Sequence, residues 1–333
     1  MSIRVGINGF GRIGRAVFRI AEEREGIEIV AINDLFGADQ LAYLLQYDTV
    51  MGAYPRPVRF EGKALCVGEH RVALTGERDP GAIPWKEHGV SVVVESTGAF
   101  RRRADLEKHL SAGADKVLLT VPAKDEIDAT IVIGVNDDTL RPGDRIVSNA
   151  SCTTNCLAPV AKILDDAFGI EEGLMSTIHA YTNDQRLADV AHKDLRRSRA
   201  AALNIIPTST GAARAVGKVL PHLKGRIDGI AMRVPVPDGS IVELVCRLRK
   251  TPGRDELNAA VRDAARGKLG AIVEYSEAPL VSSDIVGNPH SAIFDSLSTR
   301  AGGGFARVLA WYDNEWGYSQ RVADAIELLG RTA

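Results

Sequence analysis

The alternation of apolar and polar positions changes rhythm along this chain. Ile3, Val5 and Ile7 recur with period two, which predicts a strand. Immediately afterwards Ile13, Ala16, Val17, Ile20 and Ala21 follow helical spacing to about Glu23. A second apolar run, Ile29 to Ile32, ends in Asn33-Asp34. Residues 40–47 read as a helix. Residues 54–85 carry short alternating pairs (Val58 and Phe60, Leu65 and Val67, Val72 and Leu74), which predict an inserted hairpin region. Residues 90–94, 117–120 and 130–135 are apolar and strand-like, and helical stretches such as 104–112 separate some of them. With Ile146-Val147 this makes about six strands, a mostly parallel sheet of Rossmann type.

The pattern differs in the second half. After Ile146-Val147 comes a small polar cluster, Ser148 to Cys156, and then a helix through Asp166. Residues 174–180, 229–235, 240–249 and 306–312 read as longer strands, and 255–266 as a helix with an acidic first turn. Few helices alternate with these strands, so an α+β arrangement with a mixed sheet is expected. The last helix has Val322, Ala325, Ile326 and Leu329 on one face. Residues 1–150 are therefore expected to form a dinucleotide-binding domain to which the segment 315–333 returns, and residues 151–314 a second domain.

Composition changes this picture little. The 333 residues, 45% hydrophobic and 25% charged, suit a globular protein of two domains. A formal net charge of −2, with no basic run, argues against nucleic acid or an anionic membrane as partner. Cys66, Cys152, Cys156 and Cys246 show no disulfide spacing, so a reducing, cytoplasmic compartment is expected. The N-terminus enters a strand at once, without a signal-peptide pattern, and no apolar stretch is long enough for a membrane span.

Three places carry candidate chemistry. Gly9-Phe10-Gly11-Arg12-Ile13-Gly14 lies between a strand and a helix, with Asp34 about twenty residues on. That order predicts a dinucleotide pyrophosphate at the helix N-terminus and ribose hydroxyls on Asp34, which favours NAD over NADP. Thr97 and Thr120 sit at strand C-terminal ends, where ligand contact and ordinary turn chemistry are equally good readings. Cys152 falls at a strand-to-helix junction, where the helix N-terminus can lower a thiol pKa from ~8.5 to roughly 3.5–7.5. Cys156, one turn later, reads as structural, and two sulfurs alone make no zinc site, so no metal is expected. His179 ends an apolar strand beside Tyr181-Thr182-Asn183-Asp184, a placement that suits a general base. Arg196, Arg197 and Arg199 form either a solvated face or an anion site.

At this point Gly6 to Arg15, Ser148 to Asn155, Ser176 to Gln185 and Trp311 to Tyr318 resemble phosphorylating glyceraldehyde-3-phosphate dehydrogenases, and the resemblance runs end to end. It implies covalent catalysis: Cys152 attacks the aldehyde of glyceraldehyde 3-phosphate, His179 is the base, NAD takes the hydride, and inorganic phosphate cleaves the thioester. By resemblance Thr182 and Arg233, with Asp184 near them, hold the substrate phosphate. Ser151, Thr153, Thr210 and Gly211 hold inorganic phosphate, assisted by Arg197. Gly9, Gly11, Arg12, Ile13, Asp34, Arg78, Thr97 and Thr120 line the cofactor, and Asn314 holds its carboxamide. The second domain is then the catalytic and oligomerisation domain of a homotetramer. Val190-Ala191 stand where many NAD-specific relatives have Leu-Pro, so some use of NADP is expected beside NAD. The rival readings are an erythrose-4-phosphate dehydrogenase and a non-catalytic NAD-binding redox sensor.

Overall fold

The structure, a computed structural model, describes residues 2–331. Met1, Thr332 and Ala333, which fall within the expected first domain and its returning segment, lie outside the described residues. The chain divides into two compact units. One takes the chain up to Ile131, then Asp138–Ala150, then everything from Ser319 onward; the other takes Val132–Asp137 and Ser151–Tyr318.

The first unit is built from β1 (Ile3–Asn8), α1 (Arg12–Ala21), β2 (Ile27–Asn33), α2 (Ala38–Gln46), β3 (Val58–Glu61), β4 (Ala64–Val67), β5 (His70–Thr75), β6 (Val92–Glu95), α3 (Arg103–Ser111), β7 (Lys116–Leu119), β8 (Ala129–Thr130) and β9 (Ile146–Ser148). The sheet order is β3-β4-β5-β2-β1-β6-β7-β9-β8. All pairings from β5 to β8 are parallel, so the central strands are buried on both faces: Val5, Ile7, Val93, Val94, Val117 and Leu118 have no exposed surface. The hairpin region expected at 54–85 extends this sheet, because β5 pairs with β2 and carries β4 and β3 antiparallel to it.

One expected strand is absent. Of residues 130–135 only Thr130 pairs, in β8. The Val132 N–H donates to Asn136 Oδ1 at 2.8 Å and the Gly134 N–H to Asp137 Oδ1 at 2.7 Å, with Gly134 at φ +81°. These side-chain acceptors turn the chain. The apolar run is explained by the burial of Ile131 and Val132 rather than by a strand.

The second unit opens with α4 (Cys152–Phe168) and β10 (Ile170–Ala180). Then follow β11 (Ile206–Ser209), α5 (Ala212–Val219), β12 (Ile227–Val234), β13 (Ser240–Leu248), α6 (Arg254–Arg266), β14 (Val273–Ser276), β15 (Ala292–Asp295), β16 (Arg300–Gly302) and β17 (Phe305–Tyr312). Its sheet runs β11-β12-β10-β13-β17-β15-β14, with β16 on β17. The β10/β12 and β14/β15 pairs are parallel and the rest antiparallel, so the sheet is mixed as expected. Helix α4 packs on β13, β15 and β17, flanked by α5 and α6. The other face carries Leu174, Ile230, Val245 and Phe305, exposed by 68%, 46%, 37% and 53%.

The last helix, α7 (Trp316–Arg331), gives most of its length to the first unit. Val322, Ala325, Ile326 and Leu329 are fully buried. Arg24 donates to Asp324, Glu327 and Gln320 at 2.6, 3.2 and 2.6 Å, and Lys116 Nζ donates to the Leu329 carbonyl at 3.1 Å. A Cβ on Gly330 would stand 2.3 Å from Ile3 Cδ1, so helix and strand meet without room for a side chain. Among the described residues no helix is long and apolar enough to cross a membrane.

Candidate active site

The segment entering α4 is strained. Ala150 has φ +54°, the only positive φ at a non-glycine among the described residues, in a region that costs an alanine ~1–2 kcal/mol. Ser151 then caps α4, its Oγ accepting the Thr154 N–H at 3.1 Å. Cys152 is thereby the first helical residue and stays partly exposed. Sγ lies 3.5 Å from His179 Nε2, on the penultimate residue of β10. Tyr312 ties the two elements together. Its hydroxyl bonds Thr153 Oγ1 and Thr177 Oγ1, each at 2.9 Å, and its ring meets the His179 ring edge to face at 5.8 Å.

The electrostatics correct one expectation. The Cys152 thiol is not lowered. Desolvation pushes its pKa up, against the opposing pull of the Arg233 guanidinium and of the Thr153 N–H and hydroxyl. Desolvation also pushes His179 down to about 3, helped by Arg233. Both shifts favour the neutral forms, thiol and imidazole. A helix N-terminus favours a thiolate, but here removal from water outweighs it.

Around this pair the structure gathers arginine and threonine side chains. Arg233 on β12 donates to the Ala180 carbonyl at 2.9 Å. Asp184 accepts from the Thr182 hydroxyl and from Arg197, whose Nε also reaches Thr208 Oγ1 at 2.9 Å. Thr208 in turn donates to Asp194 at 3.0 Å. Arg197 is thus a partner of Asp184 rather than a solvated charge. Thr210 and Gly211 stand at the start of α5, which packs on α4, and Thr210 Oγ1 accepts the Ala212 N–H at 3.1 Å.

Asn314 is buried and oriented. Ser240 Oγ accepts the Ala180 N–H at 3.0 Å, so its single hydrogen goes to Asn314 Oδ1 at 2.6 Å. The amide group of Asn314 is therefore left as a donor. Beside it, Asp238 and Asp313 are each 1% exposed. Asp313 accepts the N–H groups of Gly287, Glu315 and Trp316, whereas Asp238 Oδ2 is buried without a donor. Desolvation and the Asp313 carboxylate push Asp238 up to about 9, so at neutral pH it is the acid that donates to Asp313. Its folded pKa lies above an unfolded value of ~3.9. Its stabilising contribution is thus complete below that value and is lost as pH rises toward 9. Asp238→Asn keeps a donor without needing a proton. It is expected to raise stability at pH 8 by roughly 2–4 kcal/mol, and hardly at all at pH 4. Thermal melts at both pH values check this; an equal shift at the two would rule out the shared proton.

The first unit holds the glycine-rich turn. Gly9 takes φ +92° and packs so closely that a Cβ would stand 2.7 Å from the Thr97 nitrogen. A Cβ on Gly14 would stand 2.3 Å from the Gly9 carbonyl, whereas one on Gly11 would meet nothing within 4 Å. The outer glycines bring strand and helix together, and the middle one faces open space before the N-terminus of α1, which no side chain caps. This cradle fits a dinucleotide pyrophosphate. Arg12 is paired with Asp48, and Ile13 lies in the first turn of α1. Asp34 Oδ2 accepts the Phe10 N–H at 2.7 Å and Oδ1 the Phe36 N–H at 3.1 Å, so it also braces the turn. Thr97 and Thr120 both rest on Glu95, and Arg78 is exposed.

Sequence reading assigned no role to Tyr312, Ser240, Asp238 or Glu95. Glu95 is fully buried and receives Asn8, Thr97 and His109. A lone acid closing an apolar strand was its one visible signal.

Comparison with known proteins gives consistent matches. The family model described as "Glyceraldehyde 3-phosphate dehydrogenase, NAD binding domain" matches residues 3–103, and that described as "Glyceraldehyde 3-phosphate dehydrogenase, C-terminal domain" matches residues 151–314. The chain is 54% identical to glyceraldehyde-3-phosphate dehydrogenases of Mycobacterium avium and Mycobacterium tuberculosis, over 100% of both chains. It is 54% identical to glyceraldehyde-3-phosphate dehydrogenase 2 of Streptomyces avermitilis, over 99% of both.

Proposed function

The chain belongs to the glyceraldehyde 3-phosphate dehydrogenase family, and from that premise we propose that it oxidises D-glyceraldehyde 3-phosphate, with NAD and inorganic phosphate, to 1,3-bisphosphoglycerate. It is an NAD-dependent oxidoreductase, and the further steps rest on its own side chains. The observation that carries the reading is Cys152 Sγ at 3.5 Å from His179 Nε2, at the start of α4.

His179 takes the thiol proton while Sγ bonds the aldehyde carbon. The N–H groups at the start of α4 and the His179 imidazole stabilise the resulting oxyanion. His179 hands that proton to the oxyanion, giving a hemithioacetal hydroxyl, and takes it back as the carbon is oxidised to a thioester. NAD, when bound, supplies the acceptor for the hydride. Phosphate attacks the thioester carbon, the C–S bond breaks, and the sulfur regains its proton. Thr182 and Arg233 hold the substrate phosphate. Ser151, the Thr153 N–H, Thr210 and Gly211 hold inorganic phosphate, and Arg197 steadies Asp184. The Asn314 amide donates to the nicotinamide carboxamide.

Asp34 bonds the adenosine ribose. Asp34→Gly is expected to raise KM for NAD roughly 10–100-fold by removing charge-assisted hydrogen bonds, and to narrow the preference over NADP. KM values for both cofactors check this; an unchanged ratio would remove Asp34 from the discrimination.

The exposed apolar face bearing Leu174, Ile230, Val245 and Phe305 supports assembly with further copies as a homotetramer. Free Cys66, Cys152, Cys156 and Cys246 suit a cytoplasmic protein. The deciding experiment is NADH formation from glyceraldehyde 3-phosphate with and without inorganic phosphate. Steady turnover that requires phosphate supports the reading. Turnover without it would mean that water resolves the thioester, and faster turnover of erythrose 4-phosphate would assign that substrate instead.

A further inference from the structure

Asn8, Asn33, Thr75 and Glu95 end the parallel strands β1, β2, β5 and β6 and are register partners across them, so their side chains form one row on one face of the sheet. The hydrogen bonds of this row run in one direction. The Thr75 hydroxyl and the Glu77 N–H donate to Asn33 Oδ1, each at 2.8 Å, and the Glu77 carbonyl accepts from Asn33 Nδ2 at 2.9 Å. These backbone groups fix which way the amide faces. Its Nδ2 therefore donates to Asn8 Oδ1 at 2.9 Å, and Asn8 Nδ2 donates to Glu95 Oε2 at 2.6 Å. From the other side the Trp85 indole, which can only donate, gives its N–H to His109 Nδ1 at 3.0 Å. The imidazole hydrogen then sits on Nε2 and goes to Glu95 Oε2 at 3.1 Å. Thr97 gives Glu95 Oε1 both its N–H, at 2.9 Å, and its hydroxyl.

Each carboxylate oxygen thus receives two donors, and Glu95, Asn8, Asn33 and His109 are all at most 3% exposed. Donors that all point toward one buried carboxylate polarise each other and hold a single arrangement. A carboxylate is costly to take out of water, so stability alone gives no reason to place one here. What the row does is join four places. Asn8 precedes Gly9, Asn33 precedes Asp34, Glu77 precedes Arg78, and Thr97 packs against Gly9. Thr120 is held differently, by its N–H and hydroxyl on the Glu95 main-chain carbonyl, each at 3.1 Å.

We propose that Glu95 is a positioning residue for the dinucleotide: through Asn8 and Asn33 it sets the loop that carries Arg78, and through Thr97 it sets the segment on the other side of β1. Both walls of the glycine-rich turn are then in place before the cofactor arrives. A cradle set in advance loses less freedom on binding, so the carboxylate acts on the affinity for NAD and not on the chemistry at the thiol. Glu95→Gln keeps the shape but brings an amide N–H2 to a place where every neighbour donates. Turning Asn8 and Asn33 over to accept it would set amide hydrogens against the Glu77 N–H. The fault therefore surfaces in the loop at 75–79. The inference rests on the reading that Arg78 and Thr97 line the cofactor.

The test compares the wild-type chain with Glu95→Gln and Asn33→Ala. NAD affinity is read from quenching of protein fluorescence, and backbone order from amide hydrogen exchange. Glu95→Gln is expected to weaken NAD binding roughly tenfold or more, and to speed exchange in residues 75–79 and 96–99 but not in β7. Its KM for glyceraldehyde 3-phosphate and its kcat at saturating NAD stay within about threefold of wild type. Asn33→Ala cuts the row but leaves Glu95 its own donors. It is expected to speed exchange at 75–79 alone and to weaken NAD binding about threefold or more; this variant decides if Glu95→Gln does not fold. An NAD affinity within about twofold of wild type in a folded variant overturns the proposal. So does faster exchange throughout the first unit with kcat falling in step, which is the mark of a purely structural role. Wild-type exchange is also measured with and without NAD. No protection of 75–79 and 96–99 by NAD rejects the reading that they line the cofactor, whereas protection with unmoved variant affinities rejects only the role of Glu95.

Discussion

Cys152→Ser is expected to lower turnover of glyceraldehyde 3-phosphate by at least roughly 10⁴-fold, with no burst of NADH in a single turnover. A hydroxyl at this position is far harder to deprotonate than a thiol, and its neighbour is a neutral imidazole held down to about 3. The serine oxygen also makes a poorer leaving group when phosphate must expel it. The fold has little stake in the sulfur, because the residue is partly exposed and Ser151, not Cys152, caps the helix. NAD binding and the melting temperature should therefore stay close to wild type. A variant that binds NAD normally yet keeps more than about a hundredth of the activity would show that Cys152 is not the nucleophile.

His179→Asn is expected to lower kcat by about 10²–10⁴-fold with little change in KM, because the base acts on reacting protons and not on the substrate's phosphate. Stability should also respond to acid. The folded imidazole titrates at about 3, below the unfolded value of ~6.5, so its contribution is present above 6.5 and is lost as pH falls through that window. In the variant this loss is absent, and the acid side of the stability profile should flatten. Chemical denaturation at pH 7 and pH 4 measures it. A KM rise that accounts for the whole loss of activity would reassign His179 to substrate binding.

The glycine-rich turn was legible because its requirements are mostly local. Gly14 answers a clearance set by the Gly9 carbonyl, Gly11 faces open space, Gly9 alone depends on the distant Thr97, and Asp34 follows at the end of the next strand. The mixed second sheet was legible from four long apolar strands. The resting state of the thiol was not. Helix position is readable along the chain, but desolvation depends on what folds over the sulfur, and the opposing charge, Arg233, lies far away in sequence. The run 130–135 misled because burial without pairing leaves the same apolar signature as a strand. Asp238 and Asp313 lie far apart in sequence, and only the closed fold makes them share a proton.

The returning helix α7 has a consequence for how the protein is made. Chains emerge from the ribosome N-terminus first. By the time residue 150 has emerged, every strand of the nucleotide-binding sheet exists, yet Ile3, Arg24 and Lys116 still lack the helix that covers or engages them. The long segment Ser151–Tyr318 of the second unit is synthesised before the part of α7 that belongs to the first unit, from Ser319 onward. A nascent chain thus carries an unfinished first unit through the synthesis of the second, with apolar surface open to chaperones or to its neighbours until the final turns arrive. Losing a few C-terminal residues would on this view damage the start of the protein more than its end.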